Sequence, residues 1–163
     1  MPILTKLKEC LDKAKISYEV YQHPHAFTAQ ETAASQHIPG REMAKVVILK
    51  VDGAFVMVVV PASKLVSFTR VKTGLGVTAV SLATEGDFAS LFPDCEIGAM
   101  PPFGNLFGLP VYVDPALHKD ETIFFNAGNH LQTVKVNTRD FEDLVKPRIV
   151  PLTNGGGGKE KAA

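Results

Sequence analysis

Two apolar runs, residues 45–51 and 54–60, are separated only by Asp52-Gly53, and this arrangement constrains the fold more than any other stretch of the chain. Asp-Gly is a favoured two-residue hairpin turn because both positions tolerate positive φ. The spacing predicts a β-hairpin over 45–60, ended by Pro61. Apolar residues, valine above all, fill both arms with almost no polar alternation. A hairpin of that kind is covered on both faces or curls into a barrel.

The flanking segments read as helices and short strands in irregular order. Leu4, Leu7, Leu11 and Ala14 recur at helical spacing, with Thr5 or an earlier residue as the start. Residues 17–21 favour extended geometry. Thr28 and Glu31 have capping-box spacing and predict a second helix, with Pro39-Gly40 closing it or the loop after it. Residues 63–74 predict a helix capped by Ser63 and stopped by Gly74. A strand over 77–80 follows, then a short helix opened by a second box, Thr84-x-x-Asp87. Strands are expected over 109–114, 122–126 and 131–136, and a last helix over 138–145, cut by Pro147. The segment from Pro151, rich in glycine and lysine, is expected to be a flexible tail. The whole predicts a mixed α/β single domain over residues 1–150, its sheet mostly antiparallel or a partial barrel flanked by helices, with a tail over 151–163.

Composition narrows the function classes. No apolar run approaches the ~20 residues needed to cross a bilayer, and no signal core with a small-residue cleavage site begins the chain. Two cysteines, Cys10 and Cys95, are too few for a disulfide scaffold, so a cytoplasmic location is expected. The 17 basic and 17 acidic residues cancel, without the basic excess usual in nucleic-acid binders. The charges are nevertheless segregated: residues 41–72 carry six basic and two acidic groups, and residues 85–121 carry seven acidic and one basic. A local positive face able to meet phosphates follows, or else chance clustering on solvated surfaces.

Three stretches could carry chemistry. Gly98-Ala99-Met100-Pro101-Pro102-Phe103-Gly104-Asn105 suits a rigid loop whose backbone N–H groups hold a developing oxyanion, or equally a tight connection between elements. Lys45 stands at the mouth of the first hairpin strand, where an ammonium could grip a phosphate or carbonyl oxygen, or simply reach solvent. Phe125-Asn126-Ala127-Gly128-Asn129-His130 runs from a strand into a turn with Asn and His at its tip, serving either a site or a plain strand connection. His23-Pro24-His25 lacks further ligands at metal spacing, so no metal is expected. Phosphate-loop, dinucleotide and nucleophile-elbow motifs are missing, and no cofactor is expected. Cys95 with His130 could form a thiol hydrolase, although a small buried side chain is the simpler reading.

In this order and spacing the three stretches resemble the YbaK/ProX family of aminoacyl-tRNA deacylases, which includes free-standing enzymes and the editing domain inserted in some bacterial prolyl-tRNA synthetases. Lys45 in Met43-Ala44-Lys45-Val46-Val47 matches the family's strand lysine. Gly98-Ala99-Met100-Pro101-Pro102 matches its Gly-x-x-x-Pro loop, Leu109-Pro110-Val111-Tyr112-Val113-Asp114 its following strand, and Phe125 to His130 its strand-turn. Some alanine-specific members carry asparagine where this chain has Val46, which leaves the amino acid open. The resemblance implies hydrolysis of the ester of mischarged tRNA for translation fidelity, on small amino acids such as Ala, Cys, Ser or Thr and on a tRNA that could be that for proline. It implies Lys45, Gly98 and His130 as catalytic residues. Ala99, Met100, Pro101, Pro102, Phe103, Gly104, Gly128 and Asn129 would contact substrate. The partners implied are aminoacyl-tRNA, gripped at its aminoacyl-adenosine end, and a synthetase. The competing reading is a non-catalytic tRNA- or synthetase-binding module of the same fold.

Overall fold

The computed structural model describes residues 4–22, 42–96 and 98–154. Its elements in chain order are α1 (Thr5–Lys13), β1 (Tyr18–Gln22), β2 (Ala44–Val51), β3 (Ala54–Pro61), α2 (Phe68–Leu75), β4 (Val80–Leu82), α3 (Glu85–Leu91), a 3-10 turn (Gly104–Leu106), β5 (Val111–Val113), α4 (Pro115–His118), β6 (Thr122–Asn126), β7 (Gln132–Asn137), α5 (Thr138–Val145) and β8 (Arg148–Ile149). The helix expected from Thr28 lies outside the described residues. No helix among those described is long and apolar enough to cross a membrane.

The Asp-Gly hairpin forms as expected, with Val51 opposite Ala54 and Lys45 opposite Val60. Asp52 and Gly53 both adopt positive φ, 46° and 87°. The Asp52 carboxylate accepts the N–H groups of Thr78 (3.1 Å) and Ala79 (2.8 Å), and these bonds hold its carboxyl below the usual carboxylate range. Both faces of the hairpin are buried. Val47, Leu49, Val51, Val56, Val58 and Val60 pack with Val66, Val71, Val150 and Leu152. Ile48, Met57 and Val59 on the opposite face join Leu7, Leu11, Phe103, Phe125 and Phe141.

The strands form two sheets, a three-stranded one ordered β1-β7-β6 and a five-stranded one ordered β4-β2-β3-β5-β8. The first is antiparallel throughout, whereas β5 lies parallel to both β3 and β8. The sheets meet where Met43 bridges Phe124 in parallel, and the Phe124 N–H donates to the Glu42 carbonyl at 3.0 Å. The mixed α/β class is therefore the expected one.

Three expectations shift. The helix predicted over 63–74 is α2, capped by Ser67, whose hydroxyl accepts the Arg70 N–H, and closed by Gly76 at φ 69°. Residues before Ser67 are drawn away because Val66 bridges Thr153 and the Ser67 N–H donates to the Leu152 carbonyl. Gly74 is no stop signal: a Cβ there would sit 2.2 Å from Val150 Cγ1, so it is a point of close approach. The strand predicted over 77–80 becomes β4, because the N–H groups of Val77, Thr78 and Ala79 are taken by the α2 C-terminus and by Asp52.

The third shift concerns the tail. Leu152 is fully buried and Thr153 is 7% exposed, so packed structure continues past Pro151; residues 155–163 lie outside the described residues. Asp114, buried and N-cap of α4, holds this segment. Its carboxylate accepts the N–H of Leu152 at 2.8 Å and that of Ala116 at 3.0 Å, with the Thr153 hydroxyl at 3.4 Å. Asp114→Ala strands the buried Leu152 N–H. It is expected to cost about 2–4 kcal/mol in urea unfolding and to expose the 150–154 segment to protease.

Candidate active site at the junction of the two sheets

The glycine loop and the strand-turn lie side by side. Gly98 sits at φ 86° and Gly128 at φ 99°, a region that side chains with a Cβ enter only under strain. Between them the backbone is bonded twice: the Gly128 N–H donates to the Ala99 carbonyl, and the Glu96 N–H to the Gly128 carbonyl, each at 2.9 Å. The His130 N–H donates to the Glu96 carboxylate at 3.3 Å, a third tie across 34 positions of sequence. A Cβ on Gly128 would lie 3.0 Å from Leu4 Cβ, and the Leu4 N–H donates to the Ala127 carbonyl at 2.9 Å. The start of α1 thus seals the turn from behind.

The turn itself is rigid. Asn129 and His130 are 3% and 2% exposed. Asn129 accepts the Leu131 N–H at 2.8 Å and donates to the Gln132 side chain at 3.1 Å. In the glycine loop the Ala99 N–H is used by the Glu96 carbonyl at 3.0 Å. Because Pro101 and Pro102 have no N–H, Gly98 and Met100 are left as the candidate donors within Gly98–Pro102. Ala99, Met100, Pro101 and Pro102 are all buried. Phe103 and Gly104 have other work: the Phe103 ring packs tilted against Phe125 and edge-on against Phe141 in the core, with centroids 5.4 and 5.5 Å away. Gly104 opens a 3-10 turn so tight that a Cβ would meet Val111 Cγ2 at 2.6 Å.

Lys45 reaches this neighbourhood through the sheet junction. Met43 bridges Phe124, and two residues further along each parallel strand stand Lys45 and Asn126. The Lys45 ammonium is half-buried and donates to the carbonyl of Lys64 at 2.8 Å, not to the glycine loop or the turn. Burial pushes its pKa below the ordinary lysine value. A partly dehydrated ammonium held by one neutral carbonyl keeps donor capacity for an incoming oxygen.

Sequence reasoning quoted Asn126 only as part of the strand-turn, with no role of its own, and did not single out Thr133. The two face each other across β6 and β7, are 5% and 0% exposed, and Asn126 Oδ1 and Thr133 Oγ1 have no hydrogen-bond partner among the described residues. An unpaired buried polar atom costs stability unless something uses it. The sequence carries little signal for the pair, because β6 and β7 also hold Thr122, Gln132, Lys135 and Asn137 and the register that couples the two is non-local.

The thiol reading fares poorly. Burial, aided by the charge of Asp94, pushes the Cys95 thiol up to about 11, so it is a thiol rather than a nucleophilic thiolate near neutral pH. Its surroundings are apolar: a cavity of about 220 Å³ lined by Phe88, Ala89, Phe92, Pro93, Cys95 and Met100. A larger opening of about 630 Å³, between α4 and α5, contains none of the residues singled out from the sequence.

Fold and site together define a mixed α/β domain with a glycine-proline loop clamped to a strand-turn beside a half-buried lysine. The model of the aminoacyl-tRNA editing domain matches residues 23–144, and the chain belongs to that family. It is 31% identical over 125 residues to the proline–tRNA ligase of Staphylococcus saprophyticus, covering 73% of this chain and 21% of the ligase. It is 30% identical over 106 residues to that of Bacillus cytotoxicus, covering 65% and 19%. The chain thus spans about a fifth of the length of these ligases. Its fold is that of a structure solved as a proposed trans-editing enzyme for prolyl tRNA synthetase, with TM-score 0.80 and 18% identity over 92% of this chain and 96% of the other.

Two variants separate site from scaffold. Thr133→Val removes an unpaired buried hydroxyl at nearly constant shape, so its melting temperature should hold or rise, while turnover should fall if that hydroxyl serves substrate. Lys45→Met removes a charge that burial disfavours. Because the folded-state pKa of Lys45 lies below its unfolded value, the wild type gains stability as pH rises through that window. The melting temperature of Lys45→Met should equal or exceed that of the wild type at pH 7, and its margin should shrink as pH approaches 10.

Proposed function

We propose that this chain is a trans-acting deacylase that hydrolyses the ester between a small, wrongly attached amino acid (Ala, Cys, Ser or Thr) and the terminal adenosine of a tRNA, with tRNA for proline as a candidate. The carrying observation is the clamp between the Gly98 loop and the Gly128–His130 turn, found in a chain of the editing-domain family. An aminoacyl ester is already activated, so water held in place and one stabilised oxyanion supply most of what the reaction needs. In this reading the N–H groups of Gly98 and Met100 hold the carbonyl oxygen as it becomes an oxyanion. Lys45 grips an oxygen of the terminal nucleotide, and Asn129 and His130 fix the turn against which substrate and water are placed. The buried oxygens of Asn126 and Thr133 are suited to accept hydrogen bonds from the substrate's ammonium. No metal or cofactor takes part, the cytoplasm is the place of action, and a synthetase is a candidate partner.

The direct test is a deacylation screen on tRNAs mischarged with Ala, Cys, Ser and Thr. At least one should be hydrolysed well above the spontaneous rate. Lys45→Ala should lose roughly ten- to a hundredfold in kcat/KM, the worth of an ammonium on a charged or polar ligand group, with the fold unchanged by circular dichroism. Cys95→Ala should keep wild-type activity. Wild-type hydrolysis by Lys45→Ala on every substrate would overturn the mechanism, and inertness of the wild type on all of them would favour a binding module.

A further inference from the structure

The hydrogen bond from Lys45 ties a second surface to the site. The carbonyl it reaches belongs to Lys64, in the loop between β3 and α2. That loop is firmly built: the Ala62 N–H donates to the Met43 carbonyl at 2.7 Å and the Lys64 N–H to the Pro61 carbonyl at 3.0 Å, while Val66 is 1% exposed and Ser67 also 1%. Between these anchors Leu65 is 47% exposed, more than Val20, Leu82 and Ile149, the other exposed large hydrophobics among the described residues. Thr69, Arg70 and Lys72 are exposed on the helix that follows. Arg70 Nε donates to Asn154 Oδ1 at 3.2 Å, which steadies the guanidinium and leaves its terminal nitrogens for another acceptor. From residue 53 to residue 84 the chain contains no Asp or Glu at all.

We infer that this lip, with Leu65 at its centre and Lys64 and Arg70 beside it, seats the single-stranded acceptor end of the tRNA, Leu65 packing on a base face while the two cations meet backbone phosphates. The inference rests on the deacylase reading, since it concerns the partner of that same site. The chemistry fits a nucleotide strand. Single-stranded nucleic acid presents apolar base faces and a charged backbone side by side, and proteins meet it with a basic track that also offers a surface for stacking. An acid-free stretch adds no repulsion to phosphates. A rigid loop loses little entropy on binding. Placement beside Lys45 puts the strand's terminal ester within the region of the glycine loop.

The test compares wild type with Lys64→Glu/Arg70→Glu and with Leu65→Ala on two substrates carrying the same amino acid: full mischarged tRNA, and the aminoacyl ester of adenosine, which has no phosphates. The double variant should raise KM for tRNA roughly tenfold with kcat held, and its tRNA affinity should depend less steeply on salt, by about 0.7 in log–log slope for each phosphate lost. Leu65→Ala should raise KM with the salt slope unchanged. Both should hydrolyse aminoacyl-adenosine as the wild type does. Equal losses on both substrates, or no change on tRNA, would overturn the inference. Binding of uncharged tRNA, followed by fluorescence anisotropy, reads the lip without turnover. Weakened binding in the double variant would support the lip even if the wild type hydrolysed nothing, and unchanged tRNA binding with loss of binding to a prolyl-tRNA synthetase would assign it to a protein partner and overturn the inference.

Discussion

The parallel bridge between Met43 and Phe124 is the contact on which the arrangement depends. On one side of it lies the hairpin sheet, whose core is set by valine packing on both faces. On the other lies the small antiparallel sheet of β1, β7 and β6, which carries the turn at residues 127–131. The bridge, with the Phe124 N–H bonded to the Glu42 carbonyl at 3.0 Å, locks the first residues of β2 beside the last residues of β6. Lys45 and the Gly128–His130 turn belong to different sheets and are 83 positions apart from Lys45 to Gly128. Only a junction of this kind brings their regions together. Phe124 is secured further by Lys135 at 5.6 Å from its ring and by the Tyr21 ring at 6.1 Å.

The candidate site that results is built mostly of backbone. Hydrogen bonds from the turn to Ala99 and to Glu96, just before the glycine loop, join the two segments. This is suited to a reaction whose substrate is already activated, because fixed N–H dipoles need no reorganisation as charge develops. Asn126 and Thr133 are among the described residues whose buried side-chain oxygens lack a partner, with Thr138 another, whereas the Asp114 and Asp52 carboxylates each accept several N–H groups.

Much of the fold was legible because it is written locally. The Asp52-Gly53 turn, the Thr84–Asp87 capping box, the strand over 122–126 and the helix over 138–145 each follow from neighbours in sequence. The errors arise where a distant segment competes. Ser63 has the chemistry of a cap as much as Ser67 does, but the C-terminal segment pairs with Val66 and moves the start of α2. Gly74 looks like a terminator until Val150 is seen against it. Leu152 and Thr153 lie in a stretch whose composition reads as tail, and they are held by a carboxylate 38 and 39 positions away. The two candidate loops stand out by residue type, whereas the pairing of Asn126 with Thr133 lies in the strand register. Phe103 shows the opposite failure: it sits in a loop suggestive of ligand contact and is a core residue.

The central claim is that the Gly98 loop, the Gly128–His130 turn and the strand carrying Lys45 form one substrate site. Hydrogen–deuterium exchange with and without a non-hydrolysable aminoacyl-adenosine analogue, in which an amide replaces the ester, addresses it most directly. The account predicts protection appearing together in the segments around residues 43–46, 98–103 and 128–133 at the same analogue concentration. Protection confined to the α4–α5 opening, or to one of the three segments without the others, would contradict it.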